Sequence, residues 1–352
     1  MTAFFASFAF AQLFYGPAAD RWGRRASLLT GLVLFVLGSV GCALAPNIGT
    51  LVAFRFVQGW GAAATAVVPR AVVRDLHAGH EAARMMALLM LVFSISPILA
   101  PLAGSGLATR VGWRAVFWAV LAVGVSGFLV TAWLLPETLL PQARSRDNLR
   151  GVAGAYLRLL RDRRFFALSG IGGLSAASFY AYLAQSSFVL IGQYGLTPTQ
   201  YSLAFGANAA VFIGASQFAG SVGRRLGLER LVRWSTAGCA LTMTALLVVR
   251  LGGMQELAVM MILLYMGYGF LGLTVPVTAV LAMEDHGNAA GIAAALIGAM
   301  QLAVSAAVIA LASPFAGSGA LPMIVAVAAS AIGAWLLAEC ALRPRSAGSR
   351  VT

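Results

Sequence analysis

The sequence contains no lysine and little charge of any kind. Of its 352 residues, 10% are charged and 60% are hydrophobic, and the mean hydropathy is +0.87. Water-soluble proteins use about 25% charged residues to cover their surface. The composition therefore excludes an ordinary soluble domain and favours a protein whose solvent is bilayer hydrocarbon.

Acidic residues are also scarce, with 11 against 24 arginines and a formal net charge of +13. A basic excess can indicate nucleic-acid binding, but such proteins carry their basic residues on one face of a soluble domain. Here the arginines lie in short runs between long apolar stretches, which is typical of membrane topology. We therefore expect a lipid bilayer as partner and no binding of nucleic acid.

Cysteine and histidine are too few and too scattered to form a reactive cluster. The cysteines lie in mostly apolar runs and the histidines in predicted loops, at Cys42, Cys239, Cys340, His77, His80 and His286. No spacing typical of a metal site or a disulfide occurs among them, and no helix face gathers a catalytic cluster. We expect no metal, no cofactor and no enzymatic activity.

Eleven apolar segments are long enough to cross a bilayer as helices, which takes about 20 residues each. They cover residues 1–19, 26–45, 49–71, 85–109, 115–135, 234–249 and 257–283, with two segments each in 165–223 and 287–338. The paired segments are divided by turn-forming clusters at 195–200 and 314–319. The pattern predicts an all-α, polytopic membrane protein.

Arginine placement predicts the orientation of these spans. When the loops are assigned alternately to two sides, one side holds twenty arginines and the other holds three. The arginine-rich side is cytoplasmic by the positive-inside rule. The C-terminus is then inside and the N-terminus outside.

One long polar interval divides the chain. Residues 136–164 separate five spans in residues 1–135 from six spans in residues 165–342, and a short tail covers 343–352. We interpret the interval as a cytoplasmic linker, part of it an amphipathic helix on the membrane surface. The segment 16–23 also aligns with 220–227, and 59–61 with 267–269. Internally repeated halves are typical of secondary transporters.

Arg55 is a charged residue within the third span. A charge at mid-membrane costs about 2.5–3.5 kcal/mol on insertion scales, so it indicates function by default. Gln58 and Gly59 lie three and four residues further on and share its helix face. We predict a transport or proton-coupling role for these three residues. An arginine that extends to the interface, or that forms a structural pair, remains an alternative.

The first cytoplasmic loop concentrates charge in a tight turn. Its candidate gating residues share one short stretch and are Gly16, Asp20, Arg21, Gly23, Arg24 and Arg25. One acid among three arginines suggests an ion-pair cluster, and Asp75 is a candidate partner for Arg24. An ordinary basic loop is the alternative.

The fourth span carries Ser94, Pro97, Pro101 and Gly104 on one face. Prolines within a membrane helix remove backbone hydrogen bonds and bend it, and small residues permit close helix contact. This face either takes part in transport or is a surface on which helices pack.

Isolated polar residues within other spans could line a cavity for an amphiphilic small molecule. They are Ser178, Tyr182, Gln185, Asn208, Gln217 and Gln301. Hydrogen bonding between helices is an equal explanation for any one of them.

Several motifs resemble the major facilitator superfamily, and within it the drug-export branch named for bicyclomycin and chloramphenicol resistance. They are GPAADRWGRR at 16–25, LVAFRFVQGWG at 51–61 and SPILAPLAG at 96–104. Segments 113–118, 135–138, 187–190 and 194–198 also fit. The resemblance implies two six-helix halves and drug/proton antiport by alternating access in a bacterial inner membrane. It also implies a monomer that handles drug-like molecules and protons.

The resemblance also suggests roles for single residues. Arg55 would take part in proton coupling, while Asp20, Arg24 and Asp75 would stabilise the closed cytoplasmic side. Asp20 would face the N-terminus of the helix that follows Asn288, where a carboxylate is favoured by the helix dipole.

The sequence departs from the family pattern at its start. It opens at what resembles the second family helix, and no span has an Asp or Glu near its middle. We therefore expect an open groove beside Arg55 and no acidic partner for it. A metabolite transporter of the same fold and a truncated, inactive protein remain alternatives.

Overall fold

A computed structural model describes residues 1–77, 106–139, 149–284, 290–315 and 319–342, with residues 81, 85, 88, 89, 92, 100, 103 and 104. Every secondary-structure element in these residues is helical. The first group is α1 (Thr2–Trp22), α2 (Arg24–Leu44), α3 (Ile48–Leu76) and α4 (Trp113–Leu134). The short α5 (Leu149–Arg161) follows, and then α6 (Arg163–Ser187), which continues as a π-helix to Gln193. The last five are α7 (Pro198–Leu226), α8 (Leu228–Leu251), α9 (Leu257–Glu284), α10 (Ala290–Ala312) and α11 (Leu321–Ala341).

The predicted all-α, polytopic fold is confirmed. Nine of the described helices are long and apolar enough to cross a membrane, and each matches one of the predicted spans. Helix α1 has 21 residues and is not among these nine; it includes Gln12, Pro17 and Asp20. Most of the predicted fourth span, 85–109, lies outside the described residues.

The helices form two packed groups that meet along α1. Helix α3 packs against α1 and α2, and α2 packs against α4. In the second group α9 packs against α6, α7 and α8, while α11 packs against α6 and α8. Helix α10 packs against both α6 and α1. The contact is close, because a side chain at Gly298 would lie 2.6 Å from Gln12 Oε1. The predicted boundaries of the two halves, the linker and the tail stay predictions.

Small residues bring α2 and α3 together. A Cβ atom at Gly38 would lie 2.5 Å from the Gln58 backbone nitrogen, and one at Gly61 would overlap the backbone of α2. Ala64, which faces Gly31 of α2, is fully buried in the same interface. Small side chains let membrane helices approach closely. The result is a fixed position for the polar side chains of α3.

The linker contains the predicted amphipathic helix. Helix α5 places Leu159 in the core and carries arginines in its last turn. Its Tyr156 hydroxyl donates to the Leu13 carbonyl of α1 at 3.2 Å. Pro17 stands four residues after Leu13 and has no N–H to donate. The linker tyrosine therefore satisfies a carbonyl that the helix itself leaves unpaired.

Candidate functional site

Arg55 lies half-buried on α3 between a polar neighbour and an aromatic ring. Its guanidinium donates to Gln58 Oε1 at 2.6 Å and lies 4.5 Å from the Phe4 ring centroid. The Met1 sulfur lies 3.6 Å from the same group. No acidic side chain of the described residues pairs with Arg55. An amide and a cation–π contact stabilise the charge instead.

Gln58 extends this interaction to α2. Its side chain is buried, and its Nε2 donates to Ser39 Oγ at 2.8 Å. The Ser39 hydroxyl in turn donates to the Phe35 carbonyl at 2.7 Å. Arg55, Gln58 and Ser39 therefore form one chain of hydrogen bonds. Sequence reasoning missed Ser39, since a lone serine in an apolar helix is no signal by itself.

Gly59 allows α1 to approach α3. A Cβ atom at this position would overlap the Phe4 carbonyl of α1. The glycine therefore positions Phe4 against Arg55, rather than contributing a group of its own.

The first loop forms the expected ion-pair cluster. The Arg24 side chain is only 9% exposed, and its Nε donates to Asp75 Oδ2 at 2.8 Å. A second guanidinium nitrogen reaches Asp20 Oδ1 at 2.5 Å. The structure thus brings Asp20, Arg24 and Asp75 together. A buried arginine between two carboxylates ties the ends of α1, α2 and α3 to one another.

Glu137 adds a third carboxylate that sequence reasoning did not assign. Its Oε1 accepts from the Arg24 backbone nitrogen at 2.8 Å, at the first residue of α2. Gly23, with φ +99°, leaves no room for a side chain beside this carboxylate. Thr138 donates to Asp75 Oδ2 at 3.2 Å. Glu137 caps α2 from the end of α4, and the LPET motif at 135–138 was the available signal.

The remaining loop residues have different surroundings. Arg25 donates to the Ala132 carbonyl at 2.5 Å, which joins α2 to α4. Arg21 is exposed and has no partner among the described residues. Gly16 has open space where a side chain would be. Asn288, the residue before the helix that Asp20 is expected to face, lies outside the described residues.

Most of the proline-containing face of the fourth span lies outside the described residues. Ser94, Pro97 and Pro101 lie outside the described residues. Gly104 is described, and no atom of the described residues lies within 4 Å of the place where its side chain would be. The antiporter-like role of this face stays a prediction.

Four of the six predicted cavity residues are buried on α6 and α7, where Asn208 of α7 approaches Tyr182 of α6. Ser178, Tyr182, Gln185 and Asn208 are all buried. The Tyr182 ring stacks parallel on Phe205 with centroids 5.6 Å apart. The result is a polar group enclosed by aromatic rings.

Most polar atoms of this group lack partners in the described part of the protein. They are Ser178 Oγ, Tyr182 Oη, Gln185 Nε2 and both side-chain polar atoms of Asn208. The Asn208 amide is near enough to interact with the Tyr182 hydroxyl, but the geometry falls short of a hydrogen bond. A buried, unpaired polar group costs about 1–3 kcal/mol, so such groups usually meet a ligand or water.

The other two predicted cavity residues lie elsewhere. Gln217 is exposed on α7 beside Ser216. It stands nine residues after Asn208, about two and a half turns, and therefore on the opposite helix face. Gln301 is half-buried on α10, where its Nε2 faces Gly172 of α6. The structure does not bring these two residues together with Tyr182, and their place in a substrate cavity stays a prediction.

Comparison with known proteins places the chain among transporters. The family model for the Major Facilitator Superfamily matches residues 1–313. The uncharacterized MFS-type transporter YdgK of Bacillus subtilis is 33% identical over 92% of this chain and 80% of its own length. Multidrug resistance protein D of Escherichia coli is 32% identical over 92% of this chain and 82% of its own length. The bicyclomycin resistance protein homolog of Haemophilus influenzae is 29% identical over 94% of this chain and 83% of its own length.

Solved structures agree on the fold. A D-xylose-proton symporter has a TM-score of 0.73 at 16% identity, over 99% of this chain and 88% of its own. A human organic anion transporter has a TM-score of 0.69 at 19% identity, over 96% of this chain and 82% of its own. The family match and the relatives confirm the resemblance seen in the loop and span motifs. The chain is a multi-pass membrane transporter rather than an enzyme, and it belongs to the major facilitator superfamily.

Proposed function

We propose that the protein exports drug-like small molecules across a bacterial inner membrane by proton antiport and alternating access. The observation that carries drug export is the similarity, over more than 80% of their lengths, to two relatives named for drug resistance. The arginine-rich loops support an orientation with the C-terminus in the cytoplasm.

The buried polar group between α6 and α7 supports an uncharged or amphiphilic substrate. Tyr182, Gln185 and Asn208 offer hydroxyl and amide groups, and Phe205 and Tyr268 offer aromatic surface. No charged side chain takes part in this group among the described residues. A binding site with a few polar groups and many aromatic contacts selects shape and hydrogen bonding rather than charge.

Arg55 supports proton coupling as a fixed charge. A guanidinium stays protonated in proteins, so Arg55 would act by its field rather than carry the proton itself. Its Gln58 and Phe4 partners leave its charge uncompensated by any described carboxylate. An uncompensated charge in hydrocarbon is costly, and it favours states in which an anion or water approaches it.

Resistance assays in an efflux-deficient host test the role of Arg55. We expect Arg55→Ala to abolish resistance while the amount of protein in the membrane stays near normal. Arg55→Lys should restore little, since an ammonium lacks the planar fork of the guanidinium. Arg114, at the outer start of α4, is the matched control, and Arg114→Ala should retain resistance. Full resistance with Arg55→Ala would leave that residue only a structural role.

Reconstituted protein tests antiport separately from export. Proteoliposomes with an imposed pH gradient should move ethidium against its gradient, and a protonophore should stop the movement. Ethidium transport that ignores the pH gradient would contradict antiport while leaving export intact. Failure to move any drug-like probe, with proton-linked movement of a sugar or another metabolite, would favour the metabolite transporter instead.

A further inference from the structure

A pocket with charged side chains in its wall lies where the start of α8 meets the end of α11, far along the chain from Arg55 and the first loop. Its volume is about 340 Å³, and it is lined by Arg230, Arg233, Trp234, Ala237 and Glu339. None of these residues takes part in the proposed transport mechanism. The pocket therefore needs an explanation of its own.

The pocket carries one excess positive charge. Arg233 and Glu339 form a two-pronged ion pair, with nitrogen–oxygen distances of 3.2 and 2.9 Å. This pair is neutral as a unit. Arg230 is exposed and pairs with no acidic side chain of the described residues. Its guanidinium is the group that is free to receive an anion.

An apolar stripe runs from the pocket along α8. Arg230, Trp234 and Ala237 lie on one helix face, at spacings of four and three residues. The stripe continues at seven-residue intervals through Trp234, Leu241 and Val248, which are 73%, 72% and 62% exposed. A helix of a membrane transporter that exposes large apolar residues in this way faces the acyl chains of lipids. The tryptophan lies at the end of the stripe next to the arginine, and tryptophan is enriched at such membrane interfaces.

We infer that this pocket binds the headgroup of an anionic phospholipid, such as phosphatidylglycerol. Arg230 would donate to the phosphate through its planar fork, which matches phosphate oxygens. The Trp234 indole would be a further donor, and the acyl chains would lie along Leu241 and Val248. Basic pockets between helices on the cytoplasmic side bind such headgroups. The stripe selects a lipid over free phosphate, because only a lipid places apolar chains directly beside its phosphate.

Lipid binding to the purified, full-length protein tests this inference. After removal of native lipid, phosphatidylglycerol and phosphatidylcholine with identical acyl chains are titrated, and bound lipid is counted by native mass spectrometry. We expect phosphatidylglycerol to bind more tightly, and Arg230→Gln to lower its affinity about fivefold. Arg225→Gln is the matched control, because it removes the same charge from an exposed residue near the end of α7, outside the pocket. The affinity of this variant for phosphatidylglycerol should stay unchanged.

A second measurement identifies the position of the lipid. Phosphatidylglycerol with brominated acyl chains should quench tryptophan fluorescence, and Trp234→Phe should reduce the quenched fraction. Equal affinities for the Arg230 and Arg225 variants, or for the two lipids, would overturn the inference. Displacement of the lipid by millimolar inorganic phosphate alone would assign a phosphate site and equally reject a lipid site.

Discussion

Arg24 is the cation whose removal should damage this protein most directly. Its side chain is 9% exposed and reaches Asp75, whose side chain is 19% exposed, at 2.8 Å. Arg24→Gln removes the guanidinium and leaves Asp75 with the Thr138 hydroxyl as its described partner. The Glu137 contact would survive, because it uses the Arg24 backbone nitrogen.

The exposed fractions of these side chains set the size of the expected loss in the free energy of unfolding. Breaking a buried ion pair by removing one partner costs about 3–5 kcal/mol. Asp20 is 52% exposed, so water screens its share of the interaction. Because Asp75 keeps some solvent contact and one hydroxyl partner, we expect Arg24→Gln to lower the free energy of unfolding by about 3 kcal/mol. At roughly 2–4 °C for each kcal/mol, the Tm should fall by about 6–12 °C.

Thermal unfolding in detergent, followed by tryptophan fluorescence, measures this change. Arg21→Gln is the matched control, since Arg21 is exposed in the last turn of α1 and lacks a partner among the described residues. Its Tm should move by less than about 2 °C. The double variant Arg24→Gln, Asp75→Asn should recover part of the loss, because no unpaired carboxylate remains. Equal shifts for the Arg24 and Arg21 variants, or strict additivity in the double variant, would refute the proposed pairing.

The remaining predictions concern four other features. Glu137→Gln should lower the free energy of unfolding by about 1 kcal/mol, because it weakens the cap of α2. A Tm equal to that of the exposed control Glu256→Gln would contradict this role. Tyr156→Phe should lower the free energy of unfolding by about 1–3 kcal/mol, because it leaves the Leu13 carbonyl unpaired. Burial, with the nearby Asp20 carboxylate, raises the pKa of Tyr156 from its ordinary value of 10 to about 12. The stability difference from wild type should therefore be constant between pH 6 and 9 and decline as the pH rises from about 10 to about 12. Asn208→Leu should abolish resistance without lowering the Tm, because it removes two unpaired buried polar atoms; a lower Tm with full resistance would show a structural role. Alkaline phosphatase fused to the C-terminus should be inactive, and activity would reverse the proposed topology.

Several features followed directly from the amino-acid sequence. The spans could be predicted because hydrocarbon cannot satisfy backbone polar groups, so each crossing requires one long, apolar helix. The contact between Arg55 and Gln58 could also be predicted, since residues three apart are neighbours on any helix. The amphipathic linker helix follows from the same regular geometry. These features depend only on local periodicity and on the solvent.

Other features were decided by tertiary structure. Ser39 meets Gln58 from another helix, Glu137 caps α2 from 113 residues away, and Tyr156 reaches Leu13 across 143 residues. Asn208 enters the buried polar group while Gln217, on the same helix, faces outward. Each outcome depends on how a helix is rotated about its axis and which neighbour it packs against. That rotation is set by the fit of small side chains such as Gly38 and Gly59 against facing backbone, which composition and periodicity do not contain.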